Sequence, residues 1–378
     1  MINIAVLGYG TVGSGVVEVL DTNRECISQR VGEEIRVKYV LDLRDFPGDP
    51  VQNILVHNFE EIIRDEDVKI VVEVMGGIEP AYTFVKRSLL AGKSVATSNK
   101  ALVAKHGAEL LSIAKEKQIN FLFEASVGGG IPIIRPLNSS MTADEIEEIT
   151  GILNGTTNYM LTKMFYEGAG YEEVLRQAQE NGYAEKNPEA DVEGYDACRK
   201  IAILSSLISG HQVDFEDIYT EGITEITERD MEYAKQMQMT IKLLASSRRS
   251  GECLSAIVAP CLLENTHPLF GVNGVFNAIF VHGNVLGDAM FYGSGAGKLP
   301  TASAVVADVV EEAKNLNRNV MTMWKSDKLK LQDKGDTIRR FFVRITGNAE
   351  AMKTYIESIF GPVQIVMLPD VEEEFGFL

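Results

Sequence analysis

Short apolar segments alternate with longer amphipathic segments over the first third of the chain. The apolar segments lie at 2–7, 36–41, 67–75, 94–97 and 119–124. Continuous apolar runs of this length are typical of strands buried on both faces of a sheet. The amphipathic segments predict helices at 12–21, 79–91 and 107–117. This alternation predicts a doubly wound parallel sheet, a Rossmann-like α/β fold with ligands at the carboxyl ends of its strands.

A glycine-rich turn follows the first predicted strand. Its sequence is GYGTVG, and a predicted helix follows it directly. In this setting the first glycine forms a tight turn, the second admits a pyrophosphate, and the third lets helix and strand pack closely. The phosphates then lie at the helix N-terminus. We therefore expect a dinucleotide to bind at Gly8, Gly10, Thr11, Val12 and Gly13.

The second predicted strand ends at Asp42, and Arg44 follows two residues later. An acid at this position usually binds the ribose 2′-hydroxyl of NAD, whereas an arginine favours the 2′-phosphate of NADP. Because the chain has both, NAD and NADP stay open, as does a loop acid that binds no ligand. The remaining cofactor positions are predicted at other strand ends and in a later glycine-rich turn: Gly76, Asn99, Lys100 and Gly297.

The second part of the chain has a different pattern, which begins after the glycines at 128–130. It predicts a strand at 147–153, helices from about 159 and at 171–181, and two neighbouring antiparallel strands at 254–263 and 277–286. A helix at 302–316, capped by Thr301, is expected to return to the first domain. Residues 325–335 are polar and rich in lysine, which predicts a linker.

These patterns predict three parts. A dinucleotide-binding domain spans 1–134 and is completed by 301–320; an inserted α+β substrate domain spans 135–300. A small β-α-β segment spans 337–378, with strands at 337–346 and 363–368 around a helix at 350–360, and ends in an acidic stretch.

Charge and cysteine content narrow the possible functions. The 36 Lys and Arg against 54 Asp and Glu give a net charge of −18, which disfavours binding to nucleic acids and anionic membranes. No apolar run reaches 18 residues, and no leader segment precedes the first strand. The four cysteines form no CxxC pair, so neither zinc nor a disulfide framework is indicated. We expect a cytoplasmic protein that acts on a small molecule.

The main candidate for chemistry is the stretch 185–200, EKNPEADVEGYDACRK. Asp196 and Lys200 are four residues apart, so on a helix they share one face beside an apolar stripe. A lysine beside carboxylates could hold a zwitterionic substrate and transfer a proton. An ordinary surface ion pair remains the alternative, because such pairs are common and weak.

Six motifs in order resemble those of the homoserine dehydrogenase family and cover about residues 1–320. They are GYGTVG at 8–13, TSNKALVA at 97–104, EASVGGGIPII at 124–134, GILNGTTNYML at 151–161, DVEGYDACRK at 191–200 and GSGAGKLPTASAVVADV at 293–309. The resemblance implies NADH- or NADPH-dependent reduction of L-aspartate 4-semialdehyde to L-homoserine, a step of threonine and methionine biosynthesis. It also implies a homodimer, in which the sheet of the inserted domain at 135–300 forms the interface, so that this domain serves both substrate binding and dimerisation.

The resemblance also implies roles for individual residues. Lys200 and Lys100 would be the catalytic lysines, although which of them gives the proton stays open. The substrate would be held by Glu185, Asp191, Asp196, Thr156 and Gly155. A monovalent cation, Na⁺ or K⁺, would be held by the backbone carbonyls of Glu124, Val127, Gly129 and Ile131.

The chain departs from the family pattern at three places. Asn187 stands where family members often have an acid. Leu41-Asp42 stands where they often have an arginine, and this second departure argues against a preference for NADP. The tail resembles part of an ACT-type regulatory domain, but Asn348-Ala349-Glu350 replaces the usual glycine turn. Feedback binding of an amino acid therefore does not follow from the resemblance.

Three other functions compete with this reading. Aspartate semialdehyde dehydrogenase needs a nucleophilic cysteine and a histidine base, and the five histidines show no such pairing. Another Rossmann-fold reductase would accept other aldehydes, and a dinucleotide sensor would not turn over homoserine. Kinetics with homoserine and a panel of aldehydes would separate these possibilities.

Overall fold

The computed structural model describes residues 1–251 and 253–378. Its first sheet is parallel and has the order β3-β2-β1-β4-β5-β6. The strands are β1 (Ile2–Leu7), β2 (Ile35–Leu41), β3 (Leu55–Val56), β4 (Val68–Glu73), β5 (Ser94–Thr97) and β6 (Phe121–Leu122). The central strands are buried on both faces, as their apolar runs require. The predicted doubly wound α/β fold is confirmed.

The helices of this part are α1 (Thr11–Thr22), α2 (Arg24–Val31), α3 (Phe59–Arg64), α4 (Ala81–Leu90) and α5 (Lys100–Glu116). The prediction that the last of them begins at 107 is wrong, because α5 begins seven residues earlier, at Lys100. The side-chain oxygen of Asn99 accepts a hydrogen bond of 3.1 Å from the Leu102 backbone N–H and so caps the helix. Lys100 is therefore fixed at a helix N-terminus and does not lie in a loop.

The second sheet is mixed and has the order β13-β12-β7-β10-β11-β9. Its strands are β7 (Ile146–Ile152), β9 (Tyr219–Thr220), β10 (Met239–Ser250), β11 (Cys253–Glu264), β12 (Phe276–Gly283) and β13 (Gly287–Ser294). The expectation that 254–263 and 277–286 are neighbours is wrong, because β7 and β10 lie between β11 and β12. The sequence analysis predicts no strand at β10, although its first five residues, MTIKL, alternate between apolar and polar residues as a strand does.

Helices cover this sheet: α6 (Gly155–Glu167), α7 (Tyr171–Glu180), α8 (Glu189–Val192), α9 (Tyr195–Ser209) and α10 (Glu228–Gln236). The predicted start of α6 at about 159 is wrong by four residues. Asn154 caps this helix, since its side-chain oxygen accepts a 2.9 Å hydrogen bond from the Thr157 N–H. Gly155 and Thr156 therefore occupy the first turn.

Helix α11 (Lys298–Lys314) packs on α1 of the first sheet. A Cβ at Gly15 of α1 would lie 2.9 Å from the Lys298 carbonyl oxygen, so only glycine allows this close approach. The predicted cap at Thr301 is wrong, since the helix begins at Lys298 and Thr301 lies within it. Pro300 is tolerated in the first turn because the N–H groups there have no partner within the helix.

The tail contains β15 (Val343–Thr346), α12 (Ala349–Phe360), β16 (Ile365–Val366) and β17 (Glu374–Phe377), and its sheet has the order β15-β17-β16. The acidic end therefore supplies a central strand. The prediction of a linker at 325–335 is wrong in part, because β14 (Lys325–Lys328) pairs with β8 (His211–Gln212). The likeness of the tail to an ACT domain and the three domain boundaries stay predictions.

Across the described residues, no helix combines the length and the apolar character that crossing a membrane requires.

Candidate active site

Lys200 and Asp196 form a buried ion pair on α9. Lys200 Nζ lies 2.7 Å from Asp196 Oδ2, and the two residues are only 8% and 4% exposed. Lys200 Nζ also donates a 2.7 Å hydrogen bond to the Leu153 carbonyl oxygen at the end of β7. The i, i+4 spacing on one helix face is present as the sequence indicates, and the burial excludes an ordinary surface pair.

Asp196 joins three other side chains from different elements. Its Oδ1 forms an ion pair with the ammonium of Lys100, which begins α5. Its Oδ2 accepts a 3.0 Å hydrogen bond from Asn154 Nδ2, and the same amide donates a 2.7 Å bond to Asp191 Oδ1. We call Lys100, Asn154, Asp191, Asp196 and Lys200 the lysine–carboxylate cluster. Sequence reasoning missed Asn154, although its position before a helix is a signal for a cap.

The charges of the cluster are set by burial and by its own ions. Burial would raise the pKa of Asp196, but the ammonium groups of Lys200 and Lys100 outweigh it and hold that pKa well below its usual range. Burial lowers the pKa of Lys200 although Asp196 opposes this shift. The pKa of Asp191 is raised, mainly by burial and then by the charge of Asp196, against the Asn154 hydrogen bond. Lys200 can therefore release a proton more readily than an exposed lysine can.

The N-terminus of α6 adjoins this cluster through Asn154. A Cβ at Gly155 would lie 2.7 Å from the Val275 carbonyl oxygen, so the backbone is closely packed there. Thr156 donates its hydroxyl to the Tyr183 carbonyl oxygen over 2.6 Å. Glu185, by contrast, is exposed, and within the described residues its carboxylate makes no hydrogen bond or ion pair with the cluster. The structure therefore brings the other predicted substrate residues together but not Glu185.

The glycine-rich turn has the geometry that a dinucleotide requires. Gly8 has φ of +99°, and a Cβ at Gly13 would collide with the Gly8 carbonyl oxygen. A Cβ at Gly10, by contrast, would meet no atom within 4 Å. Thr11 and Val12 begin α1 directly after the turn. The space beside Gly10 and the free N–H groups of the helix N-terminus fit a bound pyrophosphate.

Asp42 and Arg44 bind each other at the end of β2. The Arg44 guanidinium donates from Nε to Asp42 Oδ1 and from Nη2 to Asp42 Oδ2, both over 3.0 Å. Asp42 Oδ2 also accepts a 2.8 Å hydrogen bond from the Tyr9 backbone N–H. The hydrogen bonds from Arg44 hold the pKa of Asp42 well below its usual range. Asp42 and Arg44, the residues that would distinguish NAD from NADP, are therefore already paired with each other. A bound ribose has to compete with this pairing.

Gly76 and Asn99, two of the other predicted cofactor residues, follow strands β4 and β5 of the first sheet. Gly76 has φ of +81° in the loop after β4. Asn99 Nδ2 donates a 2.5 Å hydrogen bond to the Gly77 carbonyl oxygen. Gly297, with φ of +126°, precedes α11. The Asn99 side chain therefore binds nearby backbone groups with both its nitrogen and its oxygen.

The loop at 124–135 is held by a buried acid. The Glu124 carboxylate accepts hydrogen bonds of 2.5, 2.8 and 2.7 Å from the backbone N–H groups of Ile133, Ile134 and Arg135. Gly129 has φ of +59°, and a Cβ there would collide with the Gly295 carbonyl oxygen. In the part of the chain that the structure describes, no group of three or more His, Cys, Asp or Glu residues could hold a metal. The backbone cation site at Glu124, Val127, Gly129 and Ile131 stays a prediction.

Comparisons with known proteins agree along nearly the whole chain. The family model described as "Homoserine dehydrogenase" matches residues 132–310, and the model described as "Homoserine dehydrogenase, NAD binding domain" matches residues 8–124. The homoserine dehydrogenase of Bacillus subtilis is 43% identical over 323 residues, which is 84% of this chain and 74% of that protein. That of Corynebacterium glutamicum is 43% identical over 349 residues, 90% of this chain and 78% of that protein.

Solved structures give the same result. A homoserine dehydrogenase from Thiobacillus denitrificans superposes with a TM-score of 0.86 at 35% identity, covering 100% of this chain and 90% of that one. A hyperthermophilic archaeal homoserine dehydrogenase in complex with NADPH superposes with a TM-score of 0.69 at 28% identity. It covers 82% of this chain and 97% of its own.

Proposed function

The chain belongs to the homoserine dehydrogenase family, and from this premise we propose how its residues carry out the reaction. The protein is an NAD(P)-dependent oxidoreductase acting on a CH–OH group. It interconverts L-aspartate 4-semialdehyde and L-homoserine, a step of threonine and methionine biosynthesis. One observation supports our assignment of residues: Asp196 is held between Lys100 and Lys200 in a buried cluster.

Lys200 is the proton donor in this proposal. A bound nicotinamide supplies the hydride that reaches the aldehyde carbon, and the oxygen then gains negative charge and needs a proton. The ammonium of Lys200 gives that proton, and in the reverse direction neutral Lys200 takes the hydroxyl proton of homoserine. Burial lowers the pKa of Lys200 toward the operating pH, which favours transfer in both directions. Lys100, whose side chain is 42% exposed, stabilises the developing oxyanion by its charge.

Asp191 and Asp196 bind the positively charged amino group of the substrate, and Glu185 closes on it from the exposed loop before α8. The carboxylate of the substrate is bound at the first turn of α6, where Gly155 and Thr156 offer backbone N–H groups. The N-terminal end of the helix dipole attracts this negative charge.

The direct test measures homoserine oxidation with NAD and with NADP as steady-state kinetics. Gly10→Val should abolish turnover and weaken cofactor binding, while the fold persists because a Cβ at Gly10 would meet no protein atom within 4 Å. Gly271→Val is the matched control, because that exposed glycine is equally open. Cofactor affinity that is unchanged in Gly10→Val would place the dinucleotide elsewhere. Absence of homoserine turnover with either cofactor in the parent protein would contradict the activity itself.

The adenosine end, in our proposal, accepts both cofactors. NAD leaves the Asp42–Arg44 pair in place, and the 2′-phosphate of NADP must draw Arg44 away from Asp42. Asp42→Ala should therefore raise the ratio of kcat/KM for NADP to that for NAD. A ratio that does not change would show that the 2′ group is recognised by other residues.

Three further assignments concern a monovalent cation, the oligomeric state and the location of the protein in the cell. A monovalent cation at the 124–131 loop predicts that activity differs between Na⁺, K⁺ and choline salts of equal ionic strength. A homodimer through the second sheet is supported by exposed Phe276, Met290 and Tyr292 on β12 and β13, and light scattering would measure it. A cytoplasmic location is supported by the four free cysteines, and fractionation would test it.

A further inference from the structure

Glu73, the last residue of β4, is buried and links two loops beside the cofactor site. Its Oε1 accepts hydrogen bonds from the Met75 N–H over 2.8 Å and from the Gly76 N–H over 3.4 Å. Its Oε2 accepts a 2.6 Å hydrogen bond from the Thr97 hydroxyl at the end of β5. One carboxylate therefore binds the loops that follow two neighbouring parallel strands.

The connections continue from Thr97 to Lys100. The Thr97 hydroxyl oxygen accepts a 2.9 Å hydrogen bond from the Asn99 backbone N–H. The Asn99 side chain then binds the Gly77 carbonyl oxygen with its nitrogen and the Leu102 N–H with its oxygen. The result is a closed ring of hydrogen bonds that returns to the loop bound by Glu73. Lys100 follows Asn99 directly and is the first residue of α5.

Every group that contacts the Glu73 carboxylate donates to it. A protonated acid would have to turn one of these donors away, so the ring fits the ionised form. Burial raises the pKa of Glu73 and the donors from Thr97, Met75 and Gly76 oppose this shift, so ionisation has a cost at this position. The neighbouring residues Val71 and Val72 are fully buried and apolar, so the packing of the sheet at this position does not require a charged side chain. The fold alone does not explain an acid here.

We propose that Glu73, acting with Thr97, is a positioning residue that sets the place of Lys100 opposite Asp196. The ring fixes the backbone on both sides of the Lys100 Cα, and the Lys100 ammonium reaches Asp196 from this fixed start. This inference rests on the role of Lys100 in the proposed function. A displacement of about 1 Å of a catalytic group can cost about a hundredfold in rate, so the ring governs kcat without touching substrate.

Thr97→Val is the main test, because valine has nearly the shape of threonine and lacks the hydroxyl. Oε2 of Glu73 and the Asn99 N–H then lose their partner. We expect kcat for homoserine oxidation to fall about tenfold to a hundredfold, with a smaller change in the KM for homoserine. Thr97→Ser retains the hydroxyl and should restore at least half of the parent kcat.

Ser94→Ala is the matched control for a merely structural role. Ser94 is buried at the other end of the same strand, and its hydroxyl oxygen accepts a 3.2 Å hydrogen bond from the Asn120 N–H. This variant should lower the melting temperature as Thr97→Val does but leave kcat within twofold of the parent. Equal kcat losses in both variants, or a kcat within twofold of the parent in Thr97→Val, would overturn the proposal.

A double-mutant cycle with Lys100→Ala separates this proposal from the proposed function. If Thr97 acts through Lys100, then adding Thr97→Val to Lys100→Ala should change kcat less than twofold. Losses that multiply would overturn the positioning role while Lys100 keeps its own. A single Lys100→Ala variant with normal kcat would overturn the role of Lys100, and the positioning proposal would fail with it. Glu73→Gln, which keeps the shape of the side chain, should lower kcat in the same direction, and an unchanged kcat would count against Glu73.

Discussion

Asp196 and Glu312 are both buried carboxyl groups on helices, yet their pKa values move in opposite directions. Asp196 lies between two lysines and accepts from Asn154, and its pKa falls. Neither oxygen of Glu312 on α11 has a hydrogen-bond partner among the described residues. Burial raises its pKa well above the usual value, and the charge of Asp308 raises it further. Burial favours the neutral form of both acids, so only the lysines keep Asp196 ionised.

Two buried lysines, Lys200 and Lys242, also differ in whether they have a partner of opposite charge. Lys200 has the carboxylate of Asp196 as its partner. Lys242 on β10 donates to the Val272 carbonyl oxygen over 2.6 Å and to the side-chain oxygens of Asn158 and Asn273, each over 3.0 Å. All three acceptors are neutral, and burial lowers the pKa of Lys242 to about 8. Opposite charges are thus matched within the active site, whereas neither Glu312 nor Lys242 has a hydrogen-bond partner of opposite charge among the described residues.

The largest effect should follow from removing the ammonium at the centre of the cluster. Lys200→Ala should lower kcat about 10²- to 10⁴-fold, the usual range for a general acid or base, and KM should change less. In homoserine oxidation Lys200 must be neutral to accept the proton, so the rise of kcat with pH that reports its ionisation should disappear from the pH–rate profile. Lys200→Arg should restore little, because a guanidinium keeps its proton in this pH range.

Lys186→Ala is the control, since this exposed lysine lies in the same stretch of sequence. A Lys200→Ala enzyme with nearly normal kcat would move proton transfer to Lys100 or to a water molecule.

Asp196→Asn leaves two ammonium groups without their shared counter-charge. Because breaking a buried charge pair costs about 2 to 5 kcal/mol, we expect the KM for homoserine to rise about thirtyfold or more. The pKa of Lys200 should fall further without its carboxylate, so the rise of kcat with pH in homoserine oxidation should move to lower pH. An unchanged profile would mean that the charge of Asp196 does not act on the titrating group.

Lys242 should make stability depend on pH in the alkaline range. Its pKa is about 8 in the folded protein and 10.5 as the ordinary value, so between these pH values the unfolded chain binds more protons. The free energy of unfolding should therefore gain about 3 kcal/mol from this group as pH rises from 8 to 10.5. Denaturant titrations of the parent and of Lys242→Met over this range isolate the difference. Parallel curves for the two proteins would contradict the assignment.

Glu312→Gln should have the smallest effect and should stabilise the fold. The raised pKa of Glu312 means that its contribution to stability is complete at acid pH and is lost as pH rises. Glutamine stays neutral, so the variant should match the parent at pH 5 and exceed it by about 1 to 3 kcal/mol at pH 8. A variant that is less stable at pH 8 would show that the ionised carboxylate has a partner. Urea unfolding at both pH values measures this.

The sequence predicted five of the six strands of the first sheet, because each of these five has a short apolar run. It did not predict β3, which has only two residues, or the short helix α3. The glycine-rich turn could also be predicted from the sequence, because glycine is required at each of its three positions for a different steric reason. The errors in the second sheet have a physical origin. Which strands become neighbours depends on contacts between residues far apart in sequence, such as Ser247 opposite Ile149, and local patterns contain no record of them.

The candidate site could also be predicted only in part from the sequence. The Asp196–Lys200 pair lies on one helix, so its spacing of four residues was sufficient. Asn154 and Glu73 were not recognised, because each acts through tertiary contacts with residues at least 24 positions away. The predicted starts of α5 and α6 are too late because Asn99 and Asn154 cap these helices, and the sequence analysis assigns a cap to neither residue.

The position of β17 between β15 and β16 has a practical consequence for handling the protein. Residues 374–377 provide the hydrogen-bond partners of both neighbouring strands, and Leu378 exchanges two further backbone hydrogen bonds with Gln364. A truncation that removes residues 374–378 would thus take away the middle strand of the tail sheet and leave both of its neighbours. It would leave the edges of β15 and β16 unpaired and uncover Ile345 and Ile356, which pack with Phe375 and Phe377, so the truncated variant should aggregate more readily than protein that retains β17.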